Sequence, residues 1–124
     1  MTPDVEAHFQ SADEFLRESE HLIAGGFYRG AVGRAYYAMF HAATAALLNA
    51  SVERRSHHGI ISAFAEVFIK TGMLDKKYHQ YLREAFEARS ECDYLSFVSA
   101  GRRQAEVTAG RAKEFIVACK DLCR

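Results

Sequence analysis

From Arg34 to Leu48 the chain runs for fifteen residues without a proline or a glycine, and alanine and leucine dominate the second half of that run. Such a composition favours a helix. The stretch Arg34-Ala35-Tyr36-Tyr37-Ala38-Met39-Phe40-His41-Ala42-Ala43 leaves that helix almost no polar face. A helix that is apolar on most sides must be covered on most sides, so the remaining chain is expected to wrap around it. Two of its residues resist burial, because Arg34 and His41 are costly inside a core unless they find partners. They stand seven residues apart, nearly two turns, and so point the same way about 10 Å apart along the axis. Tyr37 lies between them. A cation, a phenol and an imidazole therefore share one stripe of an otherwise apolar helix.

The flanking sequence supplies the cover. Thr2-Pro3 reads as an N-cap followed by proline at the first helical position. Val5, Phe9, Ala12, Leu16 and Ile23 recur at helical spacing until Gly25-Gly26. After the central helix, Ser56 is placed to cap a third helix with Ile60, Ile61, Phe64, Val67 and Phe68 on its apolar side. Asp75 is placed to cap a fourth, which buries Tyr78, Tyr81, Leu82, Ala85 and Phe86. Glu91 to Leu95 breaks the pattern, which puts Asp93 and Tyr94 in a turn. Ser96 then opens a last helix to about Leu122, with Val98, Ala105, Ala109, Ala112, Phe115, Ile116 and Cys119 along its seam. Gly101 and Gly110 weaken that helix by up to ~1 kcal/mol each unless they permit close helix contact. No strand pattern, repeat or linker interrupts the series. The expected fold is all-α: an antiparallel bundle of four to five helices in a single domain over residues 1–124.

Sixteen basic and sixteen acidic residues cancel, so no global field points to nucleic acid or membrane. The distribution is uneven, with three arginines against six acids in residues 1–50 and thirteen basic groups against ten acids beyond. Cys92, Cys119 and Cys123 are odd in number and form no disulfide framework, which suits a reducing compartment. There is no signal-peptide pattern, and no uncharged apolar stretch reaches the ~18–20 residues of a membrane span. A cytoplasmic protein is expected.

Two constellations carry chemistry. Along the central helix, His41 could act as general base toward a 2′-hydroxyl, since an imidazole titrates near neutrality. Arg34 could hold a phosphate and its developing charge through its planar fork of donors. Tyr37 could position that phosphate, and a two-fold dimer would bring two such stripes face to face. The alternative is that Arg34 and His41 are core groups satisfied by Asp93 or Glu87. The second constellation is Ser56-His57-His58-Gly59, preceded by Arg54 and Arg55, where two histidines meet a helix start able to receive an anion. A solvated charge cluster is its bland counterpart. Cys119 and Cys123 sit four apart on one helical face, as metal ligands can, but no CxxC pair or matching His spacing joins them, and no phosphate loop or HExxH is present, so neither metal nor cofactor is expected.

The run Tyr28-x-x-Ala31-Val32-x-Arg34-Ala35-Tyr36-Tyr37-Ala38-Met39-Phe40-His41-Ala42-Ala43 is followed by His58-Gly59 with Phe64. Further on come Lys70-Thr71-Gly72 and Arg89-x-x-x-Asp93-Tyr94. Together these resemble the HEPN domain, and within it the small stand-alone UPF0332 branch. The resemblance implies a helical bundle, frequently a homodimer, often encoded beside a minimal nucleotidyltransferase in a toxin–antitoxin-like pair. It implies in some members a metal-independent endoribonuclease whose motif is Arg, four to six residues, then His, and in others a non-catalytic nucleotide- or RNA-binding or dimerisation module. Arg34-x6-His41 meets that spacing in the second helix rather than a late one. On the ribonuclease reading Arg34, His41 and Tyr37 are catalytic. On the binding reading His57, His58, Arg89 and Asp93 receive a nucleotide or RNA phosphate.

Overall fold

The computed structural model describes residues 1–94 and 100–124. Five helices follow one another: α1 Pro3–Ala24, α2 Tyr28–Asn49, α3 His57–Phe64, α4 Lys77–Tyr94 and α5 Arg102–Leu122. A π-helical turn, Ala65–Ile69, continues α3. The described residues contain no strand, and the chain is an all-α bundle.

Local chemistry sets the ends. Thr2 Oγ1 accepts from Val5 N at 3.3 Å, with Pro3 in the first turn of α1. At its other end Gly26 takes φ +82°, a conformation that side chains avoid, and the chain reverses at once into α2. Ser56 Oγ accepts from Gly59 N at 2.8 Å and starts α3. A methyl at Gly59 would stand 2.8 Å from that same Oγ, so a larger residue there would make the cap hydroxyl shift. Asp75 Oδ1 takes the Lys77 amide at 2.9 Å ahead of α4.

α2 is the axis. Eleven of its residues are buried, seven of them alanines, and it packs against α1, α3, α4 and α5. Small side chains let four neighbours approach one helix while the interior stays close-packed. Where α1 crosses α2, the buried Ser19 hydroxyl donates to the Ala31 carbonyl at 2.7 Å, which satisfies a polar group that packing alone would leave stranded. On the far side Phe64 of α3 stacks on Phe115 of α5, ring centres 5.1 Å apart. Ion pairs tie the outside: Lys120 to Asp13 at 2.9 Å and Lys77 to Glu114 at 2.6 Å.

The turn expected at Asp93-Tyr94 is instead the last turn of α4. Helix continues there because Arg89 and Asp93, four residues apart, form an ion pair across it, while Cys92 is buried and its carbonyl accepts from Arg29 of α2. The expected helix start at Ser96 and the seam position Val98 lie outside the described residues. The helix that follows begins at Arg102, after an extended Gly101. Gly110 does not serve close contact, since a methyl there would meet nothing within 4 Å. Gly110→Ala should therefore stabilise the fold by up to ~1 kcal/mol, read as a higher denaturation midpoint; a lower midpoint would show that α5 needs this glycine.

Candidate functional site

The Arg34-Tyr37-His41 stripe faces α1. Phe15 lies against all three: its ring is 5.8 Å from the Arg34 guanidinium, 5.6 Å from the Tyr37 ring and 5.4 Å from the His41 ring. Arg34 is half exposed and stands 3.8 Å from Glu18, a loose surface pair worth little in water. His41 Nδ1 is 3.0 Å from His8 Nδ1 on α1, so one imidazole donates to the other. Burial, reinforced by His8, holds the His41 pKa below its ordinary value. Glu18 and His8, rather than Asp93 or Glu87, are therefore the partners of Arg34 and His41.

Tyr37 turns its hydroxyl the other way, toward α4. Arg89 Nη2 donates to it at 2.9 Å, with the guanidinium carbon 5.2 Å from the ring centre. Arg89 Nε is 2.8 Å from Asp93 Oδ2. That nitrogen is buried, yet it makes no hydrogen bond of acceptable geometry, so the contact is an ion pair held by proximity rather than by an aligned N–H. Only 18% of the Arg89 side chain is exposed.

Tyr36, one residue earlier, points into the core and brings its phenol to α3, where its oxygen lies 2.5 Å from His57 Nδ1. Phe86 of α4 and Phe40 of α2 flank the His57 ring at 5.8 Å and 4.6 Å, and His58 packs edge-on to Phe86 at 5.3 Å. Burial raises the Tyr36 pKa well above that of a free phenol; Tyr37 adds to the rise and Arg89 opposes it. Burial also lowers the His57 pKa, and the positive charge of Arg89 and then His58 lower it further. The result is a protonated phenol against a neutral imidazole, with a guanidinium close enough to bias both.

This arrangement can move a proton. When His57 Nδ1 donates to Tyr36, the far ring nitrogen carries a lone pair and can act as a base. When Tyr36 donates, that nitrogen carries N–H and can act as an acid. A phosphate brought to the Arg89 guanidinium would compete with Asp93 for its donors. Of the seven sequence-derived site residues, the structure gathers Tyr37, His57, His58, Arg89 and Asp93 around the α2–α3–α4 junction and leaves Arg34 and His41 on the α1 side. Tyr36 joins the cluster without having been singled out. Its signal was present: a tyrosine on a wholly apolar face must find a partner for its hydroxyl.

The histidines give the fold an acid limit. His41, His57 and His79 each titrate below the ordinary 6.5, in every case chiefly through burial. Between the lowered values and 6.5 the unfolded chain binds more protons than the folded one, so stability rises with pH up to about 6.5 and is lost on acidification below it. Glu66, Glu84 and Glu114, held low by their hydrogen-bond partners, give up their share only below about 4.5. Tm should fall between pH 7 and pH 5, with a shallower slope in His57→Asn; a Tm that is flat or rises on acidification would contradict this.

The family model for the HEPN domain matches residues 5–122. The chain belongs to the HEPN family. Among its relatives is "Putative toxin MJ0142" of Methanocaldococcus jannaschii, 33% identical over 113 residues, covering 91% of this chain and 77% of that protein. A second protein of that designation in the same organism, MJ0605, is 33% identical over 75% of this HEPN chain and 69% of its own length. A UPF0332 protein of Thermotoga maritima is 30% identical over 90% of this chain and 84% of its own. This HEPN protein is thus toxin-like by relationship. Among its described residues no helix is long and apolar enough to cross a membrane.

Proposed function

We propose that this HEPN domain is the toxin of a two-component pair and a metal-independent endoribonuclease, with a minimal nucleotidyltransferase as its neutralising partner. The observation that carries the catalytic part is the single cluster formed by His57, Tyr36, Tyr37 and Arg89. It supplies the two things that cleavage at a 2′-hydroxyl needs. His57, neutral near pH 7 and turned by its bond to Tyr36, takes the 2′-hydroxyl proton as that oxygen attacks phosphorus, and returns a proton to the departing 5′-oxygen. Arg89 neutralises the charge that gathers on the phosphoryl oxygens, and Tyr37, bonded to its Nη2, fixes the direction of its fork. Asp93 holds the guanidinium until substrate arrives. Arg34 and His41, facing α1 with Phe15 against both, are less suited to one phosphate.

The toxin designation of the relatives supports the pairing, and co-expression with any minimal nucleotidyltransferase encoded beside this chain's gene tests it. The partner should co-purify and suppress cleavage of mixed RNA in EDTA; a partner that neither binds nor suppresses would remove this part of the reading. A second reading, a nucleotide- or RNA-binding module without catalysis, uses the same cluster and is favoured by the contact between Arg89 and Asp93. It predicts saturable, salt-sensitive binding with no product.

A further inference from the structure

A hollow of about 250 Å³ opens beside Phe40, between α1, α2 and the connection into α3. Its polar lining is His8, His41, Thr44, Glu53, Arg54 and Arg55, and its apolar lining is Phe40, Leu48, Val52 and Ile60. We propose that this hollow is a second nucleotide subsite, which holds the phosphate and base of the neighbouring nucleotide when single-stranded RNA lies across the His57–Arg89 cluster. It rests on the RNA reading above and adds to it the span of substrate that the protein grips.

Four observations carry it. First, the two sites share a wall. Phe40 lines the hollow and lies 4.6 Å from the His57 ring and 5.9 Å from the His41 ring, so adjoining residues of one flexible chain can occupy both. Second, the charges suit a phosphate. Among the described residues Arg54 and Arg55 make no ion pair, and Arg54 Nη1 donates only to the neighbouring Glu53 carbonyl at 2.7 Å. Glu53 is the one acid on the rim, against two guanidinium groups. Third, an aromatic and three aliphatic side chains line the hollow, and apolar and aromatic surface is what an unstacked base seeks. Fourth, the size selects. Pockets that engulf a whole drug-sized ligand run to ~300–1,000 Å³, and this one is smaller, right for one unit of a chain. His8 and His41 both line the hollow, and their Nδ1 atoms hydrogen-bond each other at 3.0 Å, which leaves the other ring nitrogens to meet ligand.

The test compares adenosine 5′-monophosphate with the 5′-phosphorylated dinucleotide pApA made with a 2′-deoxy first sugar, which lacks the attacking hydroxyl and so stays intact, on the full chain, by calorimetry and by NMR of the histidine rings. The dinucleotide should bind at least ~10-fold tighter, as a second stacked base and phosphate imply, and should shift the His8 and His41 ring signals. In the doubly substituted Arg54→Ala, Arg55→Ala protein, whose changes lie on an exposed connection, the gain from the second nucleotide should shrink by at least ~3-fold, the stacking surface remaining, as expected when phosphate contacts are removed. Equal affinities in the unsubstituted protein, or a full gain in the double variant, would overturn the subsite. If Arg89→Ala abolishes binding while the His8 and His41 signals stay silent in the unsubstituted protein, the subsite fails and the His57–Arg89 reading survives. If Arg89→Ala binds pApA normally and those signals still move, the cluster reading fails and the subsite survives. No binding of either ligand by the unsubstituted protein would overturn both.

Discussion

Arg89→Ala is expected to lower RNA cleavage by roughly 10²–10³-fold, the usual loss when a donor aimed at developing charge is removed. The guanidinium is mostly buried, holds Tyr37 through Nη2 and faces Asp93 through Nε, so no neighbouring cation can replace it. Arg89→Lys separates charge from geometry. A lysine keeps the positive charge, but its single ammonium cannot hold Tyr37 and face Asp93 from one rigid plane while presenting donors to phosphate. It should recover only part of the loss. Each variant's folding is checked by its helical circular dichroism, because removing the donor to a partly buried phenol also costs about 1–3 kcal/mol. A folded Arg89→Ala protein that cleaves at the original rate would take Arg89 out of the chemistry.

The second large effect is structural. Phe115→Ala should destabilise the bundle by about 3–5 kcal/mol. The ring is fully buried, stacks on Phe64 and meets Tyr78 edge-on at 6.3 Å, so it joins α5 to α3 and α4 where both lean on α2. Folding free energies of domains this size are about 5–15 kcal/mol, so that one ring carries a large fraction of the total. Urea denaturation should show a lower midpoint with an unchanged slope. A loss below about 1 kcal/mol would show that the neighbours collapse into the space and that the core is less closely packed than its contacts imply.

The scaffold was legible because its signals are local. The gap-free run from Arg34 to Leu48 announces a buried helix, and Thr2-Pro3, Gly25-Gly26, Ser56 and Asp75 mark helix ends by chemistry that depends only on near neighbours. The end of α4 was not legible in the same way. Asp93 and Tyr94 look like turn residues by type, but Arg89 pairs with Asp93 and Arg29 reaches the Cys92 carbonyl from 63 residues away, which holds the last turn in helix. The candidate site was half visible. Helical pitch groups Arg34, Tyr37 and His41 correctly on one stripe, yet pitch cannot say which neighbour covers it. Phe15 of α1 does so, and Tyr37 alone reaches across to α4. The bond between Tyr36 and His57 spans 21 residues and depends on how α3 docks, so no spacing rule could show it.

The most direct measurement is the rate at which freshly purified protein cleaves RNA in EDTA at saturating substrate, compared between His57→Ala and Arg34→Ala. If the α2–α3–α4 junction is the working site, His57→Ala should lose at least ~10²-fold, as removal of a general acid–base does. Arg34→Ala, which gives up only a half-exposed side chain 3.8 Å from Glu18, should stay close to the unsubstituted rate. The reverse outcome, with Arg34→Ala inactive and His57→Ala cleaving normally, would place the chemistry on the α1 face and contradict the assignment.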